Sequence, residues 1–223
     1  VTILAVCLAA WTLYRRSIDW VCPDTWVLLV VLLALPAFFL VTQDVTSFDP
    51  ANYQLVGRTL FEQMSVHDYP FVLADRHVDT FSWFAHPPIL PLVYAYLHLS
   101  SLAGLIPYVT PLYLLLVYLL VFQGLRDRIS LLAALAVVAL LASTPLLVRT
   151  GIEGFATVPR VFFFTALALV LSEEKDASPY LVGILTGSAM LTHTIGLLAV
   201  PAVVAADLIT RKRIDFRWMV RFG

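Results

Sequence analysis

Charge is what this 223-residue chain has least of. Asp, Glu, Lys and Arg make up 13% of it and hydrophobic residues 61%, whereas soluble domains carry about a quarter charged residues. With a mean hydropathy of +0.89, the chain reads as an integral membrane protein. A basic domain is missing as well. The net charge is −1, and no stretch could grip nucleic acid through its phosphates, so no nucleic-acid partner is expected. Cysteines number only 2. Cys7 lies in an apolar run and Cys22 in a short polar loop, which excludes a disulfide framework and metal-ligand spacing. Internal repeats and low-complexity tracts are absent. Residues 1–13 have the hydrophobicity of a signal-peptide core, but Arg15 and Arg16 follow them and no small-x-small cleavage site does, which favours a truncated helix. The chain opens inside that apolar run and stops at Phe222-Gly223 just after a basic cluster. We therefore expect residues 1–223 to be one transmembrane module of a longer polypeptide, with a C-terminal part missing.

What the chain has in quantity is apolar runs, at roughly 1–14, 26–42, 107–124, 129–148, 156–171, 179–193 and 195–209. Several approach the ~20 residues that span a bilayer. Hydrocarbon leaves backbone groups no partner outside the segment, so each run is expected to be helical. The expected fold is all-α, a polytopic transmembrane helix bundle. The segment Pro87 to Leu105 is ambiguous: it is apolar enough to cross, yet Pro87, Pro88 and Pro91 crowd its start and His98, Ser100 and Ser101 its end. If it lies in the interface or re-enters, then Arg15/Arg16, Arg126/Arg128, Lys175 and the cluster Arg211, Lys212, Arg213, Arg217 and Arg221 share one face. The positive-inside rule favours that arrangement. The opposite, extracytoplasmic face then receives the loop 43–87, the turn 149–156 and the break at Thr192-His193-Thr194.

The outer loop has local structure of its own. Asp49-Pro50 places a carboxylate before a proline at a first helical position, a good helix start. Tyr53, Val56, Leu60 and Met64 then recur at three- and four-residue steps, with Arg58 and Glu62 opposite, the pattern of a short amphipathic helix lying on the membrane surface. Beyond it the chain turns acidic and His-rich through His67, Asp68, Asp75, Arg76, His77 and Asp79, and returns to the membrane at His86-Pro87-Pro88.

Four features, in this order, resemble the N-terminal half of the GT-C superfamily of glycosyltransferases, closest to its protein O-mannosyltransferase and aminoarabinose-transferase branch. The first is an early loop Asp followed by a Tyr, here Asp49 and Tyr53. The second is the x-Pro-Pro-Leu-like return, His86-Pro87-Pro88-Ile89-Leu90. The third is Thr144-Pro145, Arg149, Glu153 and Thr157-Val158-Pro159. The fourth is the turn Gly187 to Gly196 containing His193. The resemblance implies a membrane enzyme that moves a sugar from a polyprenyl-phosphate donor at the extracytoplasmic face of the cell membrane. It implies Asp49 and Glu153 as catalytic residues and Tyr53, Arg58, Arg149, His86 and His193 as substrate-binding. Departures are visible: Pro50 stands where many relatives carry a second acid, Thr157 where the second acidic position falls, and His86 and His193 where lysines stand. They leave the donor sugar and the use of a divalent metal ion open.

The chemistry explains those residue types. An acceptor hydroxyl attacking an anomeric carbon needs a carboxylate to take its proton. The departing phosphate needs positive charge or hydrogen-bond donors, and an arginine fork meets phosphate oxygens bidentately. Structural readings stand beside these. Asp49 serves equally as a helix cap, Arg149 and Glu153 as an interfacial ion pair, Arg160 as a snorkelling cation, and His193 as a hydrogen-bonded turn residue. His67, Asp68, His77, Asp79 and His86 are metal-ligand types whose spacing matches no compact site, so no metal ligands are assigned. An oligosaccharyltransferase-like enzyme and a transporter or non-catalytic scaffold are the alternative functions. A transporter would bury ionisable groups at mid-membrane depth and often repeats its halves.

Overall fold

The computed structural model describes residues 48–63, 88–126, 128–173, 178–192 and 194–211, and among them the regular structure is entirely helical. Helix α1 spans Phe48–Gln63 and α2 Ile89–Leu99. A 3-10 segment, Ala103–Tyr108, leads directly into α3, Val109–Arg126. Then come α4, Leu131–Ala142, α5, Pro145–Glu153, and α6, Thr157–Glu173. Helix α7 is Pro179–Met190, and a second 3-10 segment, Thr194–Leu198, opens α8, Ala199–Arg211. The first two apolar runs, the loop from 64 to 87 and the basic residues from 212 onward lie outside the described residues.

Two sequence expectations change here. The run 129–148 reads as one continuous span, but α4 and α5 meet at a 62° bend. Pro145 brings no N–H and its ring collides with the turn before it. The Ser143 and Thr144 hydroxyls both donate to the Leu140 carbonyl, at 2.8 and 3.0 Å, occupying an acceptor that the break exposes. The second change concerns the number of spans. Among the described residues one helix, the 24-residue rod Ala103–Arg126, is long and apolar enough to cross a membrane, and the bent pair α4–α5 makes a second if taken as one span. The segments Ile89–Leu99, Thr157–Ser172, Pro179–Met190 and Ile195–Ala206 are shorter apolar helices.

Helix α3 is the axis of the packing: α6, α4 and α5 lie against it, and α7 lies against α6. The α3–α6 seam is aromatic. Tyr113 meets Phe162 and Phe163 at ring centroid distances of 5.4 and 6.0 Å, and those two rings meet edge-on at 5.0 Å. Such pairs add about 0.5–1.5 kcal/mol beyond the area they bury. At its far end α3 is tied to α6 by Arg128, whose Nη2 donates to Ser172 Oγ at 3.0 Å.

Helix α1 has the expected apolar stripe, but the stripe faces protein. Tyr53, Val56 and Leu60 are buried, and α1 packs on α2. The two helices run parallel: Gly57 lies over Pro91, Tyr94 and Ala95, and farther along Phe61 stacks on His98 at 5.7 Å. Gly57 is needed at the crossing, because a Cβ there would lie 2.6 Å from Tyr94 Cβ and 2.9 Å from the Pro91 carbonyl oxygen. Helix α2, with 11 residues, is about 16 Å long. After it the chain reverses at Ser100–Leu102, where Ser101 takes a left-handed φ of 58°, and the 3-10 segment packs back on α2.

Candidate functional site

Two of the motifs singled out in the sequence, the Asp49-Pro50 start of α1 and the acid–arginine turn, approach each other around the turn that ends α5. Gly154 stops that helix in the left-handed conformation, φ 93°, with its N–H donating to the Thr150 carbonyl. A glycine just past the last turn is the favoured way to end a helix, because a side chain resists positive φ. The missing side chain also makes room. A Cβ on Gly154 would stand 3.3 Å from Pro50 Cβ and 3.9 Å from Thr110 Oγ1. The start of α1 and the first turn of α3 therefore both approach Gly154 at the end of α5, although they lie about 100 and 44 residues before it in the chain.

Helix α1 begins at Phe48, so Asp49 and Pro50 lie inside its first turn and not at the cap and first helical position that the sequence suggested. An acid there complements the positive end of the helix dipole. The Asp49 side chain lies outside the described set. One turn on, Tyr53 is buried. It belongs to a group of buried tyrosines with Tyr94 of α2 and Tyr113 of α3. Burial, and next the neighbouring Tyr53 and Tyr113, push the Tyr94 hydroxyl above its ordinary range and keep it neutral.

Glu153 is the one buried carboxylate among the described residues. Its Oε1 accepts from Arg149 Nε at 2.6 Å, with side-chain exposure of 8% for the acid and 65% for the arginine. Arg58 has a different fate. Its Nε donates to Glu62 at 2.7 Å with both side chains open to solvent, on the face of α1 opposite Tyr53. The pair is remote from Gly154 and, being exposed, contributes little. His86 and His193 lie outside the described residues. Their described neighbours are joined, the Ile89 N–H donating to the Leu191 carbonyl at 3.3 Å. That bond brings the chain after Pro87-Pro88 to the break between α7 and α8. No three His, Cys, Asp or Glu side chains gather into a metal-binding group among the described residues; His67, Asp68, His77 and Asp79 are not among them.

Sequence reasoning passed over Gly154, Thr110, Tyr94 and Tyr113. Only the first carried a signal, as a glycine following the polar end of an amphipathic turn. The other three sit in apolar stretches whose partners are fixed by tertiary packing. In comparison with known proteins, no protein-family model, no curated protein and no solved structure matches the chain.

Proposed function

We propose that this chain is part of a membrane glycosyltransferase that moves a sugar from a polyprenyl-phosphate donor to an acceptor hydroxyl at the extracytoplasmic face. The observation that carries the reading is the contact of Pro50 with Gly154. It brings the loop acid Asp49 and the acid–arginine turn, motifs about a hundred residues apart in sequence, to one place. Their order along the chain resembles GT-C enzymes, and a shared site is what that chemistry needs.

Three further observations support it. From Thr110, at the site, to Arg126 is 16 residues along α3, about 24 Å of helix. The hydrocarbon core of a bilayer is about 30 Å, so a site at one surface and the Arg126–Arg128 end at the other is the natural placement, with the basic end inside. Helix α2, about 16 Å long, is too short to cross by itself, and the chain reverses directly after it, in keeping with the arrangement that gathers the basic loops on one side. The outer surfaces of α4 and α5 are also apolar, Leu132, Leu140 and Leu146 being 78%, 70% and 72% exposed. Surfaces of that kind suit lipid better than water.

In the proposed reaction the acceptor oxygen forms a bond to the anomeric carbon while the bond from that carbon to the phosphate oxygen breaks. The electron pair leaves with the polyprenyl phosphate. Asp49 takes the hydroxyl proton, and an arginine balances the phosphate charge. The phosphate is a good leaving group and needs no strong general acid. The test is transfer from a panel of radiolabelled polyprenyl-phosphate sugars in membranes holding the full-length protein, comparing wild type with Asp49→Asn. The amide matches the carboxylate in size but cannot take a proton, and loss of a general base costs on the order of a hundred- to ten-thousand-fold in rate. Turnover in Asp49→Asn within a few-fold of wild type removes Asp49 as the base.

A further inference from the structure

We infer that Glu153 is a positioning residue, whose task is to hold Arg149 so that the arginine's outer edge grips the phosphate of a lipid-linked substrate. The inference rests on the glycosyltransferase reading for the identity of the ligand and on the ion-pair geometry for everything else.

Position in the helix is the first consideration. Glu153 is the last residue of α5, where the negative end of the helix dipole disfavours a carboxylate. Arginine four residues ahead of glutamate is also the less favourable order for a helical pair. The pair therefore does little for α5 as a helix. Arg58 and Glu62 have the same spacing and order, but both are exposed, at 64% and 51%, and make an ordinary surface pair. In the α5 pair the acid alone is withdrawn from solvent. A buried carboxylate is costly without a bonded cation, so Glu153 fixes where the guanidinium must stay.

The bonding atoms set the direction. Arg149 uses Nε toward Glu153, and it makes no other hydrogen bond or ion pair among the described residues. A guanidinium has five N–H donors in a planar fork. With Nε committed, the two terminal nitrogens keep four, on a side chain that is 65% exposed. That edge can bond two oxygens of one phosphate. The carboxylate behind it lowers the entropy lost when the fork engages, as a rigid support does for any binding group. The same bond occupies a lone pair of Glu153, and in the proposed reaction the proton goes to Asp49.

The test is binding without turnover. Protein in neutral-lipid nanodiscs is titrated with farnesyl phosphate, with farnesol and inorganic phosphate as controls. Wild type should bind farnesyl phosphate at least tenfold more tightly than either control. Arg149→Gln, whose amide can still donate to Glu153, should weaken farnesyl phosphate tenfold or more, and Arg149→Lys by less. Glu153→Gln should weaken it three- to tenfold while the melting temperature confirms folding. The double variant should bind no more weakly than Arg149→Gln alone. Wild-type affinity in Glu153→Gln, or equal losses from Glu153→Gln in the presence and absence of Arg149, overturns the positioning role. Inorganic phosphate bound as tightly as farnesyl phosphate overturns the lipid-linked source. If Glu153→Gln does not fold, wild-type affinity in both Arg149 variants overturns the clamp on its own. Sugar transfer is measured separately: a protein that binds as described but transfers no sugar retains the clamp and loses the glycosyltransferase reading.

Discussion

Replacing Gly154 by alanine separates the stability of the site's framework from its chemistry. Gly154 has φ 93°, and an L-residue held in left-handed conformation costs about 1–2 kcal/mol. Alanine also restricts the unfolded chain, which returns about 0.4–1 kcal/mol, so the backbone effect alone is a net loss of about 1 kcal/mol. The new methyl adds a contact. It would stand 3.3 Å from Pro50 Cβ, closer than ordinary van der Waals distance, and Pro50 must retreat by a few tenths of an ångström. Because Asp49 precedes Pro50, the retreat moves the acid relative to Glu153. Misplacement of about 1 Å can cost two orders of magnitude in rate, so a shift of tenths should reduce turnover several-fold to tenfold. The expected result for Gly154→Ala is a small fall in the denaturation midpoint in detergent with a larger fall in sugar transfer. Gly154→Asn completes the comparison: asparagine tolerates positive φ but brings the same Cβ, so it should recover stability without recovering turnover. Wild-type stability and wild-type turnover in Gly154→Ala together would refute both the left-handed turn and its contact with Pro50.

Gly57→Ala should be more damaging to stability, because its Cβ meets Tyr94 Cβ and the Pro91 carbonyl oxygen at 2.6 and 2.9 Å; overpacking of this kind costs about 1–3 kcal/mol, and protease sensitivity of α1 reports it. Single cysteines at Thr150 and Arg128, labelled with a membrane-impermeant reagent in sealed vesicles, should react from opposite sides, and reaction from the same side would end the proposed placement.

How much of this was legible in the sequence depends on which interaction decides each feature. Helix α1 could be placed from Asp49-Pro50 and the Tyr53, Val56, Leu60 spacing, since local stereochemistry and periodicity are written in neighbouring residues. The object its apolar stripe faces could not be read. A stripe against lipid and a stripe against α2 have one periodicity, and only Gly57, whose small size permits the close crossing, distinguishes them. Hydropathy likewise marked the run 129–148 but not its bend, because it averages over Ser143, Thr144 and Pro145, the three residues that make the break.

The site follows the same division, and the division has a consequence for Glu153. Residue chemistry alone offered two acids as catalytic, Asp49 as the base and Glu153 as the next candidate. The structure adds a bond to one of them: Glu153 gives an oxygen to Arg149 Nε. Sequence spacing could suggest the pair, since residues four apart share a helix face. It could not show that the acid is buried and the arginine exposed, because packing between helices decides that asymmetry. Gly151 lets α5 close on Leu114, where an added Cβ would lie 2.6 Å from its Cδ2, and Gly154 lets α1 close on the end of α5. The two glycines mark where α3 and α1 approach the last turns of α5. If the Gly154 seam shields Glu153, opening it should expose the acid and loosen its hold on Arg149. Gly154→Ala should then weaken farnesyl phosphate binding in the same direction as Glu153→Gln, and it should do so without altering any group that can touch the ligand.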